Sequence, residues 1–243
     1  MAIALVQSVT GTGNLTLNGV AAGNALIALD STYRNPTTGA AVGTPTDSGG
    51  TFTGGIGGAA ALLHTSLWDV GIGIFYQANA ASGTHTVTYE ASTVKQHTLT
   101  EFSGMATSGL LDVSATAKTN NGTVTSQATG TTGATAQNDE LIIIGIAIAH
   151  DGGAANIGFT NPVSGFTTLK IISNTSADVG TLHAYKIVSA SGTQSATFNW
   201  TDSEIGGEHA AIAAFKGTAG GAAARAPRYR PFPYKPGSPR GLR

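Results

Sequence analysis

The sequence predicts an all-β fold: a single antiparallel β-sandwich assembled from two related halves and followed by an extended C-terminal arm. Three observations carry that expectation. Apolar and polar residues alternate with a period of two in segments such as Asn14-Leu15-Thr16-Leu17 and Thr84 to Tyr89, and apolar positions at helical spacing are missing. Glycine (34 residues), alanine and β-branched residues dominate while only 10% of the chain is charged, which suits stacked sheets with hydroxyl-covered surfaces. The chain also repeats itself. At an offset of 109, Tyr76 meets Tyr185, Ala81-Ser82-Gly83-Thr84 meets Ala190-Ser191-Gly192-Thr193, Thr88 meets Thr197 and Tyr89 meets Phe198.

Taken in order, Met1 to Thr10 is mildly apolar but lacks the basic start and cleavage pattern of a secretory signal. Asn14 to Leu17 alternates as a strand does, and Ala25-Leu26-Ile27-Ala28-Leu29 is a continuous apolar run, as expected of a strand covered on both faces. Asn35 to Ala60 holds Pro36, Pro45 and a cluster of glycines, so it reads as a long loop with one short strand around Thr51-Phe52-Thr53, and as a place for recognition. Leu67-Trp68 to Tyr76 is the next strand. With Thr84 to Tyr89 it reads as a hairpin across a small-residue turn, and Leu182 to Phe198 reads as the same hairpin written again. Gln96 to Phe102 is a strand, and residues 111–135 either bridge the halves or hold a hairpin about Asn120-Asn121-Gly122.

In the second half, Leu141-Ile142-Ile143-Ile144 repeats the role of Ala25 to Leu29 at an offset near 115, and Phe215-Lys216-Gly217 answers Phe102-Ser103-Gly104 at 113. Gly165 to Ile172, Leu182 to Val188, Gln194 to Trp200 and Ala210 to Phe215 are its further strands. Residues 1–217 therefore form the expected sandwich, with halves of about 1–110 and 136–217 whose strands interleave in shared sheets. The two most apolar strands are buried at a common centre. Residues 218–243 are a linker and tail carrying five of the eight prolines, which extend the backbone and remove sheet donors.

A chain of 243 residues buries a core without covalent help, and the absence of cysteine excludes disulfides, thiolate metal sites and cysteine nucleophiles. The longest apolar run, Leu141 to Ala149, is about half the ~20 residues a membrane-spanning helix needs, so no membrane partner is expected. The net charge of −1 hides a partition. Six basic and thirteen acidic residues leave residues 1–220 at −7, while Arg225, Arg228, Arg230, Lys235, Arg240 and Arg243 bring the tail to +6.

No constellation announces a reaction, and no cofactor or metal is expected. His64, His85, His97, His150, His183 and His209 are scattered without metal-ligand spacing. His150-Asp151 and Glu208-His209 are neighbours whose side chains leave a strand on opposite faces. Asp139-Glu140 and Asp202-Ser203-Glu204 lack the density of a calcium loop, and Gly-x-Ser-x-Gly is absent. Glu90 and Glu101 are the one acid pair on adjacent core strands that invites a glycosidase, against ordinary solvated strand-edge acids. Trp68 and Trp200 suit packing better than sugar stacking. The tail interleaves Arg225, Arg228, Arg230, Lys235 and Arg240 with Tyr229, Phe232 and Tyr234. That mixture suits docking into a groove of a protein neighbour, with nucleic acid as the second choice and a disordered solubilising tail as the third.

The run of Leu26-Ile27-Ala28-Leu29, Ile74 to Tyr89, Glu101 to Gly104, Asn138 to Ile144, Ala184 to Trp200 and Ala211 to Gly217 resembles the jelly-roll β-sandwich structural proteins of tailed-bacteriophage virions. The resemblance covers residues 1–217 as a pattern of strands and turns. It implies a non-enzymatic decoration, fibre or tail protein, made in a host cytoplasm, assembling with protein neighbours or copies of itself, and it transfers no catalytic residues. The alternative expectation is a carbohydrate-binding or adhesion module using the Asn35 to Ala60 loop.

Overall fold

The computed structural model describes residues 1–34, 42–56, 69–89, 94–119, 124–150, 157–173, 179–202 and 205–218. Among them there are sixteen strands and no helix, so the all-β expectation holds. The first half supplies β1 (Ala4–Gly11), β2 (Leu15–Val20), β3 (Ala25–Arg34), β4 (Thr46–Asp47), β5 (Gly50–Thr51), β6 (Thr53–Ile56), β7 (Asp69–Gln77), β8 (Gly83–Thr88) and β9 (Val94–Ser103). The second supplies β10 (Leu111–Thr119), β11 (Ser126–Ala128), β12 (Glu140–His150), β13 (Thr167–Ile172), β14 (Val179–Val188), β15 (Thr197–Asn199) and β16 (Ile205–Lys216).

The halves do not interleave. One antiparallel sheet runs β1-β9-β3-β7-β6 and the other β10-β16-β12-β14-β13, the same order built from equivalent strands. The apolar runs do not state which sheet a strand joins, and strands near in sequence pair within each half. Residues 111–135, expected as a bridge, give β10 to the edge of the second large sheet and β11 to a small one. The expected hairpins are also corrected. β7 and β8 lie in different sheets, as do β14 and β15, so each repeated turn is a corner from a large sheet to the small sheet beneath it. Gly83 and Gly192 sit at equivalent points of those corners with φ of 127° and 155°, a region that glycine enters without steric cost.

Four layers result. The small sheet β2-β8-β4-β5 covers the outer face of the first large sheet, through Leu15, Leu17 and Val87 against Leu26, Ala28, Phe75 and Leu99. The small pair β11-β15 covers the second, where Phe198 joins Ile142, Ile144, Leu182, Ala210 and Ile212. Between them the large sheets pack face to face through Ala25, Ile27, Leu29, Ile72 and Ile74 on one side and Leu141, Ile143, Ala147, Ala211, Ala213 and Phe215 on the other. Alternate residues of β3 and β12 thus enter different cores, which is why those strands read as unbroken apolar runs.

Register shows how deep the duplication goes. Ile27 pairs Tyr76 and Ala25 pairs Phe102, while Ile143 pairs Tyr185 and Leu141 pairs Phe215, fixing the offset of the central strands at 116. Even the irregularities repeat: β1 shifts register between Leu5 and Gln7, and β10 between Leu111 and Val113. Contacts between the halves are reciprocal. Tyr76 meets Phe215 edge-on at 5.3 Å, and their equivalents Tyr185 and Phe102 meet edge-on at 5.3 Å. Met105 bridges to Gly217 while the Thr218 amide donates to Gly104 carbonyl at 2.8 Å. A residue i on j′ matched by j on i′ is the signature of an isologous pair, here within one chain about a pseudo-two-fold axis.

Candidate functional site

Among the described residues, most of those singled out as able to carry chemistry are fixed inside the fold. Glu101 is wholly buried and accepts from Gln7 Nε2 at 2.6 Å, Ala21 N at 2.9 Å and Asn24 Nδ2 at 2.6 Å. It pins the turn that precedes β3, in place of the expected solvated strand-edge acid. Its suggested partner Glu90 lies outside the described residues. His97 lies 2.9 Å from Asp30 and stacks on Tyr89 at 3.8 Å, all three buried. His85 Nδ1 contacts Asp47 Oδ2 at 2.6 Å and its Nε2 contacts Ala81 carbonyl at 2.9 Å. Both partners are acceptors, a setting that favours a hydrogen on each ring nitrogen. Burial alone would lower its pKa, but the Asp47 and Ala81 acceptors outweigh burial and raise it.

His183 is buried between the large sheets, and burial, then Lys170 and His97, drive its pKa well below the usual histidine range. His209 is buried, and Trp200 donates its Nε1 hydrogen to Val124 carbonyl at 3.1 Å, which bears out packing over sugar stacking. His64, Trp68, Asp151, Ser203, Glu204 and the side chain of His150 are outside the described residues, as are Arg225, Arg228, Tyr229, Arg230, Phe232, Tyr234, Lys235 and Arg240 of the tail. Among the described residues no three His, Asp or Glu side chains gather to hold a metal ion, and no helix is long and apolar enough to cross a membrane.

Asp139 and Glu140 diverge. Asp139 is exposed at a positive φ of 60° whereas Glu140 is buried beside Asp112, and desolvation, then the Asp112 contact, push its carboxyl from 4.5 to about 7. The raised value means that Glu140 favours the folded state fully below pH 4.5 and loses that contribution as pH rises through 7. His85, also raised, acts in the same direction. Glu140→Gln is therefore expected to stabilise the protein at pH 8 relative to pH 4 by on the order of 1–2 kcal/mol against wild type, discounted for screening, measured by urea titration at both pH values. An equal effect at the two pH values removes the titration from the explanation.

The structure opens one site that the sequence did not flag, a cleft of about 440 Å³ on the outer side of the second half. The turn before β13 gives Thr160, Pro162, Val163, Ser164 and Phe166, strand β14 gives Lys186, and the segment through β15 gives Ser195, Thr197 and Asn199. Its walls are tied together. Thr160 N donates to Asn199 carbonyl at 2.8 Å across the cleft, and within the turn Phe166 N donates to Val163 carbonyl at 2.9 Å and the Thr168 hydroxyl to Asn161 Oδ1. Lys186 Nζ stands 4.7 Å over the Phe166 ring, and burial lowers its pKa. A half-buried ammonium among hydroxyls, with no carboxylate among the described lining residues, can neutralise an anionic group while the hydroxyls and the Asn199 amide exchange hydrogen bonds with a polar ligand.

The first half closes the equivalent place. Gln77 stands at the position of Lys186, and the β4–β5 turn lies over it: a methyl on Gly50 would collide with the Gln77 amide, and one on Gly49 with His85. There the described part of the expected recognition loop is folded into the small sheet, leaving a shallower cleft of about 310 Å³ at Gly43, Thr44, Thr46, Thr88 and Tyr89. The signal for the open site was present in the repeat, where Lys186 puts a charge opposite Gln77 beside the best-matched tyrosines. No protein-family model, curated protein or solved structure matches the chain.

Proposed function

We propose that the chain is a non-enzymatic structural component of a virion: two jelly-roll-like units fused back to back into a rigid block, with a basic, proline-rich arm that docks on a protein neighbour. The observation that supports this reading most is the reciprocal packing of the large sheets, which commits the apolar faces of both units, and with them Ser31, Thr98, Thr181 and His183, to internal contacts. A rigid two-unit block of this kind suits a building part. Of the eight acids whose side chains are described, Asp30, Asp47, Glu101, Asp112, Glu140 and Glu208 are buried. Most of the negative charge on the described side chains is thus internal, and a second protein component suits the arm's arginines better than the described surface of another copy. Truncation after Thr218 should leave the melting transition in place and remove the chain from the particle, read by co-sedimentation. A truncated chain that co-sediments as well as the full chain refutes the docking arm.

A second reading, a carbohydrate-binding or adhesion module, is favoured by one feature: the open, hydroxyl-lined cleft at Lys186, in the unit opposite to the loop where recognition was expected.

A further inference from the structure

The duplication supplies an internal control for this cleft. The large sheets of the two units share strand order, register and bulges, yet one unit covers its site with the β4–β5 turn and a neutral Gln77, and the other leaves it open over a cation. In the first unit the β4–β5 pair fills this space, and among the described residues the second unit has no strand pair in that place.

We propose that the Lys186 cleft binds the carboxylate-bearing residue of an acidic oligosaccharide, a uronic or sialic acid, with the carboxylate on Lys186 Nζ and ring hydroxyls on Thr160, Ser195, Thr197 and Asn199. The proposal rests on the second reading above, that this unit takes a glycan, and names the class. Three features select a carboxylated sugar over other anions. Among the described residues the lining contains one cation and no second positive group, which matches a monoanion better than a phosphate that carries close to two charges. The Phe166 face that a nucleobase would stack on is taken by Lys186 itself. The remaining polar groups are hydroxyls and one amide, able both to donate and to accept, as sugar hydroxyls require. The bond from Thr160 N to Asn199 carbonyl ties the turn to β15, and the bonds within the turn fix its backbone before the ligand arrives, which lowers the cost of binding.

The test uses the full chain with sialyllactose, an oligogalacturonate, lactose and acetate as probes, followed by titration calorimetry at low and high salt. Saturable binding of an acidic probe is expected, weakened tenfold or more by Lys186→Met and by high salt, and untouched by Lys95→Gln in the other unit. Methionine keeps the stem over Phe166 without the charge, and an unchanged melting temperature shows that the variant is folded. Lactose bound as tightly as sialyllactose, or acidic binding that survives Lys186→Met, overturns the acidic class while leaving a glycan module standing. Acetate competing at the same concentration as the acidic sugars also overturns it, because a bare carboxylate would then suffice. No binding of any saccharide removes both this proposal and the glycan reading.

Discussion

Glu101→Ala is expected to destabilise the protein by about 2–4 kcal/mol, the upper part of that range applying if the freed donors stay dry. Glu101 is wholly buried on β9 and accepts three hydrogen bonds, two from side chains at 2.6 Å and one from the Ala21 amide at 2.9 Å. Those donors belong to β1 and to the turn leading into β3, so one carboxylate ties the edge strand and the entry of the central strand to β9. Alanine leaves Gln7, Ala21 and Asn24 without their acceptor and opens a hole beneath the turn. Glu101→Gln keeps the volume but turns an amide donor toward groups that are themselves donors, and about 1–2 kcal/mol is expected. Urea unfolding of both variants measures this. Destabilisation below about 0.5 kcal/mol for Glu101→Ala contradicts an anchoring role. The same variants separate anchoring from catalysis, since a catalytic carboxylate replaced by its amide loses turnover with stability intact.

What could be read from the sequence divides along physical lines. The central strands β3 and β12 were legible because a strand covered on both faces must be apolar throughout, and the duplication was legible because Tyr76, Phe102, Tyr185 and Phe215 all serve the shared central core. The edge strands β1 and β10 were missed. β1 alternates exposed with half-buried positions rather than exposed with buried ones, so its pattern is faint. Small residues and a positive-φ glycine serve corners and hairpins alike, and only the sheet that receives the next strand distinguishes them. Lys186 escaped notice for a different reason. A single lysine on a strand reads as a solvated face, and its meaning comes from the turn at 160–166 and from Asn199, which are distant in the chain and adjacent only in the fold.

His183→Ala is expected to cost about 3–5 kcal/mol, by leaving a cavity between the large sheets and stranding several hydroxyls at once. His183 Nε2 is 2.8 Å from Ser31 Oγ and 3.1 Å from Thr181 Oγ1, its Nδ1 is 2.9 Å from Thr98 Oγ1, and the Thr181 hydroxyl donates to Ile146 carbonyl at 2.8 Å. The cluster draws Ser31 and Thr98 from the first unit and Thr181 and His183 from the second. Its two-fold mate is Ala147 and Ala211 from the second unit with Ile72 and Ile74 from the first, all buried and apolar. One side of the interface is therefore polar and the other greasy, although both descend from one pattern. Pairing the first unit with a copy of itself would set Ser31 and Thr98 against Ile72 and Ile74, and pairing the second with itself would bury His183 against alanines. The cluster consequently favours closure of the two units within one chain over exchange between chains. Copying the apolar side onto the polar side, with Ser31→Ala, Thr98→Ala, Thr181→Ile and His183→Ile together, removes donors and acceptors in matched sets. It is expected to leave stability within about 1 kcal/mol of wild type or to raise it, while the single His183→Ala falls far below. If the fourfold variant unfolds as readily as the single one, the cluster contributes net stability and not only pairing specificity. If it is stable but sediments as dimers and larger species, the specificity role stands.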